Sequence, residues 1–558
     1  MKLFQPKFFS CLKAYNGSRF INDIIAGIIV AIIALPLSIA LAIASGVSPE
    51  QGLYTAIIAG FIIAFLGGSK VNISGPTAAF AAIVAGIVAQ HGLSGLIVAT
   101  IFAGIILILM GVFRVGALIK YIPMTITVGF TAGIAVTIII GQLKDFLGLT
   151  FAPGTNAIET MDKVKAVFSS LTTTNINALI VGVIGMAVLI LFPLLGKAKC
   201  GIFSKICSKI PASIVAVIVG TLLVQLTSLD VNTIGTLYPN LSSGFPSPSF
   251  PSITFDTVRA VAPSAFTIAI LAAIESLLSC VVSDGMINDR HNSNTELIAL
   301  GIGNIASGIF GGIPATGAIA RTAANVKNGG RSPVSGMVHA VVLLMFLLVL
   351  MPLAKLIPMP IIAAILFMVA YNMSGWRHFI RVCRQSPKSD IIVMVTTFVL
   401  TVVFDLVVAI IVGLLLAFVL FMKRMSEVTS IRRWDDKSIV SDAKAKEIPL
   451  HTLIYEYNGP MFFAGADKIL DFAIENDTRS MILRMGGVTS IDASAMENLE
   501  FLNSSCKKQN VRLIFSHVRE QPMSVMRKAG FIKAVGSENF VPDIDDALRL
   551  AKNEAEKQ

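Results

Sequence analysis

The chain has 558 residues, a mean hydropathy of +0.80 and a charged fraction of only 14%. This composition excludes a soluble globular protein and indicates a polytopic membrane protein. The formal net charge is +11, and 20 of the 44 Lys and Arg residues lie from Lys423 onward, so the last quarter is a different, soluble kind of sequence. The six cysteines lack CxxC spacing, which predicts free thiols and no metal site.

Residues 1–22 are basic and aromatic, and they lack the apolar core of a cleavable signal peptide. We expect a cytoplasmic segment with a helix on the inner membrane surface. About fourteen apolar runs follow it, and each is a candidate transmembrane span. Their predicted limits are 23–45, 51–68, 76–90, 94–113, 122–142, 177–195, 210–227, 262–284, 294–311, 315–327, 334–353, 358–373, 388–404 and 406–423.

Two of these spans, the third and the tenth, are short, and each follows a break rich in Gly and Pro. The first break is Ser74-Gly75-Pro76-Thr77, and the second is 311–317. A helix that begins halfway through a bilayer directs unpaired N–H groups and its positive dipole end at that point, which favours an anion. Such interrupted spans in corresponding places mark transporter substrate sites. Their seven-span separation predicts two repeats, about 23–230 and 260–423, with the second inverted.

The Lys and Arg residues of the loops predict the orientation of the membrane domain, residues 23–423. With a cytoplasmic N-terminus, the inside segments hold about 18 of these residues and the outside segments about five. The positive-inside rule therefore places both termini in the cytoplasm. The expected location is the cell (inner) membrane.

Ionisable side chains are few inside the predicted spans, where burial of charge is costly, and two of them are candidates for a functional role. Glu275 is in the middle of the eighth span, and Ser279 follows four residues later on the same helical face. Both are candidates for holding a coupling ion: the carboxyl group favours a proton, and Ser279 keeps sodium open. Arg321 lies one turn into the tenth span and offers a fixed charge with a planar donor fork for an oxyanion. Packing of Glu275 against another helix and snorkelling of Arg321 are the alternatives.

Residues 448–558 alternate strands and helices, which predicts a small cytoplasmic α/β domain behind a polar linker at 424–447. The expected strands are 450–457, 480–485 and 511–515, and the expected helices are 467–476, 494–508, 522–529 and 544–555. The chain shows no nucleophile–base pair and no phosphate-binding Lys loop. We therefore predict neither an enzyme nor an ATP-driven pump.

The sequence resembles the sulfate permease (SulP) family of anion transporters along essentially its whole length. The resemblance rests on the motifs at 22–27, 34–36, 44–47, 52–54, 67–69, 73–77 and 328–332, together with Glu275 and Arg321-Thr322. Residues 448–558 resemble a STAS domain, the fold of anti-sigma-factor antagonists. The resemblance implies fourteen spans in a seven-plus-seven inverted repeat, divided into a core and a gate. It also implies a homodimer and an elevator-like mechanism.

In that family the anion lies between the N-termini of spans 3 and 10 and is closed off by span 1. By position, the resemblance assigns the pocket to Ser38, Leu41, Thr77, Ala78, Ala79, Ala318, Ile319, Ala320 and Arg321. Small side chains there let an oxyanion approach backbone N–H groups. Some members have Gln at the position of Leu37 and Ser at that of Ala320, so this pocket depends more on backbone donors and on Arg321.

The resemblance also assigns Ser494 to the acceptor position of the STAS phosphorylation loop. A plain helix N-cap at Asp492 or Ser494 is the alternative, and it suffices physically. Ser494 is therefore a candidate regulatory residue, and a cytoplasmic regulator is an expected partner of the STAS domain.

Together these features predict a secondary active anion transporter that imports sulfate or a similar oxyanion with protons. A sodium-coupled bicarbonate symporter, a C4-dicarboxylate transporter and a passive anion channel remain open within the same fold. A nucleobase carrier of related fold, and a signalling receptor that uses the cytoplasmic domain without transport, are the further alternatives. The expected partners are a small inorganic or carboxylate anion, the lipid bilayer and a second copy of the chain. No cofactor, metal or nucleic acid is expected.

Overall fold

The computed structural model of the protein describes residues 4–12, 15–117, 123–152, 155, 157, 159–197, 210–251, 254–404, 406–434, 448–465, 468–469, 474–475 and 477–556. Within these residues, nine helices are long and apolar enough to cross a membrane. Each of the fourteen predicted apolar runs falls in a helix. The prediction of a polytopic helical membrane domain is therefore confirmed.

The helices keep the span numbers of the predicted runs. Spans 1 and 2 are Gly17–Ala44 and Pro49–Leu66, spans 3 and 4 share Ala81–Val112, and spans 5 to 7 are Met124–Leu147, Ile176–Lys197 and Ala212–Thr227. Spans 8 to 14 are Phe255–Ile287, Ser293–Ile309, Ile319–Lys327, Val334–Ala354, Met359–Ser374, Lys388–Val403 and Leu406–Val428. Helices outside the spans are Lys7–Leu12, Thr160–Ser169, Ile234–Leu237 and Trp376–Gln385.

Spans 3 and 4 are joined without a loop. A 3-10 turn, Ala78–Phe80, precedes span 3, and the helix Ala81–Val112 then runs on until Gly92 interrupts it. Gly92 has a φ of 65°, a conformation that glycine adopts without a steric penalty. The short third span therefore continues directly into the full-length fourth.

The span helices pack as two groups. In the first, the shared helix of spans 3 and 4 packs on spans 8 and 9, span 11 packs on spans 1 and 2, and span 10 packs on spans 1 and 8. In the second, span 5 packs on spans 12 and 13, and span 6 packs on spans 7 and 12. Span 1 also touches spans 7 and 12, so it contacts both groups.

Spans 4 and 9 of the first group approach each other through glycines. A Cβ atom on Gly104 would lie 2.6 Å from the carbonyl oxygen of Gly301, and one on Gly301 would lie 2.5 Å from the carbonyl oxygen of Gly104. Small residues allow helix backbones to come this close, which maximises packing where the surrounding lipid is as apolar as the helices.

Residues 415–558 form a second compact unit. After β1 (Ser74–Gly75) and β2 (Thr316–Gly317) of the first unit, the strands of this unit are β3 (Ser430–Arg433), β4 (Thr452–Asn458), β5 (Ser480–Gly487), β6 (Arg512–Ser516) and β7 (Phe540–Val541). They form one sheet in the order β3-β4-β5-β6-β7, with β3 antiparallel to β4 and the remaining neighbours parallel. Helices Ala493–Lys508, Glu520–Lys528, Phe531–Val535 and Ile544–Ala555 accompany them. Apolar clusters that include Tyr457 and Ile482 form its core.

The sequence predicts most of these elements and misses three. The three expected strands correspond to β4, β5 and β6, and the last three expected helices are present. The helix expected at 467–476 lies largely outside the described residues. Strand β3, which lies within the predicted linker, the two-residue strand β7 and the short helix Phe531–Val535 have no counterpart among the predicted elements. Three of the four residues of β3 are exposed, so its sequence has no apolar alternation to reveal it.

Candidate functional site

The two Gly- and Pro-rich breaks cross each other in the fold. Ser74–Gly75, strand β1, pairs antiparallel with Thr316–Gly317, strand β2, and places Ser74 opposite Gly317. A Cβ atom on Gly75 would lie 2.6 Å from Nη1 of Arg321 and would displace the guanidinium. The crossing therefore joins the two segments that lead into spans 3 and 10, and it depends on a residue without a side chain.

Neither short span is capped by a side chain at its N-terminus. Thr77, the N-cap of the turn Ala78–Phe80, makes no side-chain cap bond, and Ala318, the N-cap of span 10, also makes none. The N–H groups of a first helical turn have no acceptor within the helix. With the positive end of the helix dipole, these donors form a physical basis for binding an anion.

The predicted pocket residues near these helix ends differ in exposure. Ile319 is 44% exposed, and Ala320 is exposed as well. The remaining ones are less accessible, with Thr77 and Ala318 half-buried and Ala78 and Ala79 buried. An incoming ion therefore has easier access to the start of span 10 than to the start of span 3.

Span 1 contributes the other predicted pocket residues. Ser38 and Leu41 are both buried, and Leu37 is half-buried. The buried hydroxyl of Ser38 has no hydrogen-bond partner among the described residues. An unsatisfied buried hydroxyl is costly, so this oxygen is available to a water molecule or a ligand.

Glu275 is connected directly to the start of span 3. Its Oε2 atom accepts a hydrogen bond of 2.9 Å from the hydroxyl of Thr77. Span 8 thus brings the predicted coupling residue to the N-cap of the helix whose N–H groups belong to the predicted pocket. A change in charge at Glu275 would act on the helix end through this single hydrogen bond.

Ser279 lies one turn from Glu275 but has different partners. Its hydroxyl donates to Oδ1 of Asn72 over 2.7 Å and lies 3.1 Å from the hydroxyl of Thr322. Thr322 in turn accepts a hydrogen bond from the backbone N–H of Ile73. The structure therefore groups Ser279 with residues that flank the crossing strands, and not with the Glu275–Thr77 pair.

Arg321 is 3% exposed and lies behind the helix ends. Its Nη2 atom donates to the carbonyl oxygen of Pro76 over 3.0 Å, and its Nη1 atom has no hydrogen-bond partner among the described residues. Nor does the guanidinium form an ion pair within 4.0 Å in this part of the chain. The result is a buried positive charge that holds the first break in place and retains an unused donor.

A second membrane acid, Glu296, was missed by the sequence reasoning. It is 1% exposed in the first turn of span 9. Its Oε2 atom accepts the backbone N–H groups of Gly68 and Ser69 over 2.8 and 3.1 Å. Its Oε1 atom accepts from Nδ2 of Asn72 over 2.7 Å and from the hydroxyl of Ser276 over 3.3 Å. Two features of the sequence hint at this site: the acidic residue in the first helical turn after the N-cap Asn292, and the Gly-Gly-Ser motif at 67–69.

Two of the family-like motifs are in contact with each other. Asp23, at the start of span 1, accepts hydrogen bonds from the backbone N–H groups of Arg331 and Ser332 and from the Ser332 hydroxyl, at 2.7, 3.2 and 2.5 Å. The hydroxyl of Tyr15 donates to the same carboxylate over 2.8 Å. This buried carboxylate fastens the N-terminal end of span 1 to the loop that follows span 10.

In the soluble domain, Asp492 and not Ser494 is the N-cap of the helix Ala493–Lys508. Its Oδ1 atom accepts the backbone N–H of Ala495 over 2.9 Å, and its Oδ2 atom accepts the N–H of Phe463 over 2.8 Å. Ser494 lies in the first helical turn and is half-buried. Its hydroxyl is therefore not required for capping, and its regulatory role stays a prediction.

Comparison with known proteins identifies the family. The profile of the sulfate permease family matches residues 20–397, and that of the STAS domain matches residues 443–547. The putative sulfate transporter YvdB of Bacillus subtilis is 38% identical over 544 residues, which cover 97% of this chain and 99% of the relative. The bicarbonate transporter BicA of Picosynechococcus sp. is 30% identical over 555 residues, covering 95% of this chain and 94% of the relative.

Solved structures agree with this relationship at the level of the fold. A chain described as the overall structure of SLC26A9 superposes with a TM-score of 0.86 at 21% identity, covering 98% of this chain and 92% of that one. The family match extends through the crossing strands, Glu275 and Arg321. The protein is therefore a member of the sulfate permease family of anion transporters and carries a STAS domain at its C-terminal end.

Proposed function

We propose that the protein is a secondary active transporter that imports sulfate or a similar oxyanion together with protons. The observation that carries this proposal is the crossing of β1 and β2, which joins two helix N-termini that lack side-chain caps. Glu275 is hydrogen-bonded to one of these ends. An anion at the helix ends and a proton on Glu275 would therefore be separated by the Thr77 hydroxyl alone.

The substrate class follows from the donors and from the relatives. Backbone N–H groups with small neighbouring side chains suit a compact oxyanion. Sulfate is the first candidate because the relative with 38% identity is named a putative sulfate transporter. Bicarbonate is the second candidate because the relative with 30% identity is named a bicarbonate transporter. In the bicarbonate case, sodium is the alternative coupling ion, with Glu275 and Ser279 as its candidate ligands.

The packing of the spans supports an inverted repeat and an elevator-like movement. Span 4 packs on span 9 as span 11 packs on span 2, and span 5 packs on span 13 as span 12 packs on span 6. Each span of the first repeat corresponds to the span seven places later. Spans 2 and 4 thus correspond to spans 9 and 11, and spans 5 and 6 correspond to spans 12 and 13, so the two contacts of each comparison are equivalent. In this proposal the first helix group, which holds the crossing strands, moves as the core against the second group, the gate.

The remaining parts of the proposal concern assembly and regulation. Both termini are cytoplasmic, in keeping with the excess of Lys and Arg in the inside loops. The functional form is a homodimer in the cell membrane, as the family resemblance implies. The STAS domain is a regulatory element that acts on transport rate or assembly, with Ser494 as its candidate modification site.

Proteoliposomes test the substrate and the coupling ion together. The purified protein is offered labelled sulfate, bicarbonate and a C4-dicarboxylate, while the proton and sodium gradients are imposed independently. We expect concentrative sulfate uptake that follows the proton gradient and ignores sodium. Sodium-driven bicarbonate uptake would select the second candidate. Flux far above the turnover of a carrier would indicate a channel, and no flux of any anion would contradict the proposal.

The helix-end site is tested at Ala320, whose side chain is exposed in the first turn of span 10. Ala320→Asp places a negative charge where the anion is proposed to bind, and Ala320→Asn adds nearly the same volume without the charge. We expect the Asp variant to lose substrate affinity much more than the Asn variant. Equal affinities for both variants, each folded, would place the anion elsewhere.

A further inference from the structure

A cavity of about 290 Å³ lies between the two helix groups and begins next to the helix-end site, at the residue that follows the turn Ala78–Phe80. One wall is span 3, with Ala82, Gly86 and Gln90, and the opposite wall is span 5, with Thr137 and Gln142. The helix Thr160–Ser169 closes it with Thr160 and Lys163. In the orientation proposed above, this is the outer half of the interface between core and gate.

The cavity extends along span 3, starting beside the proposed anion site. Its lining begins at Ala81, the first residue after the turn Ala78–Phe80, and reaches Gln90 nine residues later. At 1.5 Å per residue this is a path of about 14 Å along the helix. An anion arriving from outside would pass through this space before it reached the helix ends.

Lys163 brings an uncompensated positive charge to the cavity. Its side chain is half-buried, and no carboxylate oxygen of the described residues lies within 4.0 Å of its Nζ atom. The acidic residue of the lining, Glu159, is exposed and forms no such pair. Burial lowers the pKa of the Lys163 ammonium from its ordinary value. A charge held in this way is stabilised when an anion binds beside it.

Gln142 adds an unsatisfied polar group on the opposite wall. It is 5% exposed, and its Oε1 atom has no hydrogen-bond partner among the described residues. An amide in this position can turn its NH₂ group toward a bound anion. Lys163 reaches toward the same wall, because a Cβ atom on Gly141 would lie 4.0 Å from its Nζ atom.

We propose that this cavity is an outer recruitment site for a small oxyanion, held by the ammonium of Lys163 and the amide of Gln142. The proposal rests on the anion transport proposed above and adds a second, earlier binding step to it. A single ammonium is a compact, strongly hydrated charge without the bidentate fork of Arg, so it suits brief retention. The main effect of this outer site is to raise the local anion concentration and the rate of anion entry from outside.

The chain supplies a matched control on the same short helix. Lys165 carries the same charge two residues away, but it is exposed and does not line the cavity. We expect Lys163→Gln to raise the KM for external labelled sulfate by about tenfold at low ionic strength. The KM measured from the cytoplasmic face should stay unchanged, and Lys165→Gln should behave like the unaltered protein. Lys163→Arg keeps the charge and should retain most of the external affinity.

A second measurement does not depend on transport. In Gln142→Cys, membrane-impermeant thiol reagents of opposite charge are added from outside, and modification of that site is measured by peptide mass spectrometry. We expect the anionic reagent to react faster than the cationic one. The preference should disappear with Lys163→Gln and persist with Lys165→Gln.

The two measurements separate the possible failures. A charge preference that depends on Lys163, in a protein that transports none of the tested anions, would support the outer site and contradict the proposed function. Equal behaviour of Lys163→Gln and Lys165→Gln in both measurements would overturn the outer site, whatever the protein transports. Absence of labelling from outside in a folded Gln142→Cys protein would overturn it as well.

Discussion

Glu275 and Glu296 are two carboxyl groups within the same helix group, and they differ in what holds them. Glu296 accepts four hydrogen bonds, two of them from backbone N–H groups of Gly68 and Ser69. Among the described residues Glu275 accepts one, from the hydroxyl of Thr77. A carboxylate with four fixed donors is a structural fastener, whereas one with a single hydroxyl partner can exchange a proton or an ion without unfolding its surroundings.

The contrast teaches that burial alone does not identify a functional acid in a membrane. Both residues meet the usual criterion of an ionisable group inside a span. The number of donors separates them, and every donor except Ser276 comes from a chain segment more than 190 residues away in sequence. Four predictions test how these buried charges are held, and they are given from the largest expected effect to the smallest.

Glu296→Ala should have the largest effect, because it leaves four buried donors without an acceptor. Each unsatisfied buried group costs about 1–3 kcal/mol, so we expect severe loss of thermal stability in detergent and low yield of folded protein. Glu296→Gln retains one acceptor and should be less harmful. A folded Glu296→Ala protein of normal thermal stability that has lost only transport would reverse the assignment of the two acids.

Arg321→Ala should weaken anion binding by about tenfold or more, since a hydrogen bond from a charged donor contributes about 1.5–3 kcal/mol. It also removes the donor to the Pro76 carbonyl, so the first break should become less ordered. Arg321→Lys restores the charge without the planar fork and should rescue binding only in part. Equilibrium binding of labelled sulfate measures both. Unchanged affinity in Arg321→Ala would reduce the residue to a packing role.

Glu275→Gln should leave the fold intact and abolish proton-driven accumulation. The neutral amide can still accept the Thr77 hydrogen bond, so exchange of labelled anion at equilibrium should continue. Accumulation against a gradient and counterflow exchange, measured in the same proteoliposomes, separate these two properties. If Glu275→Gln still concentrates sulfate in response to a pH difference, another group carries the proton.

The smallest effects come from a matched pair of hydroxyl substitutions. Ser276→Ala removes one of the four donors of Glu296 and should lower the free energy of unfolding by about 1 kcal/mol, with transport preserved. Thr77→Val removes the one described donor of Glu275 and should shift the pH dependence of uptake while stability changes little. A pH shift with Ser276→Ala and none with Thr77→Val would refute the comparison.

The membrane fold could be predicted well because it depends on local composition. A bilayer requires apolar helices, and each of the fourteen apolar runs corresponds to a helix or, for spans 3 and 4, to part of a shared one. The Pro and Gly residues of 73–77 and 311–317 also locate the two breaks, because such residues interrupt a helix wherever they occur. The pairing of β1 with β2 is different, since it joins residues more than 240 positions apart and has no local signature.

The site was harder to predict because its partners are non-local. Four residues separate Ser279 from Glu275, which predicts a shared helical face, yet the two meet different segments of the chain. Glu296 resembles an ordinary acidic residue in a first helical turn, so its sequence context offers no sign of the Gly68–Ser69 turn that it binds. The sequence shows Lys163 only as one of the charged residues in the predicted outside loops. The fold alone places it beside a cavity.

The glycine contact between spans 4 and 9 also has a genetic consequence. Gly104 and Gly301 each lie against the other's carbonyl oxygen, at a distance that excludes a Cβ atom. Every missense change of a glycine codon introduces at least that one carbon. Every single-base missense change at either codon therefore forces the two backbones to move locally, and such variants are expected to lower the stability of the folded protein.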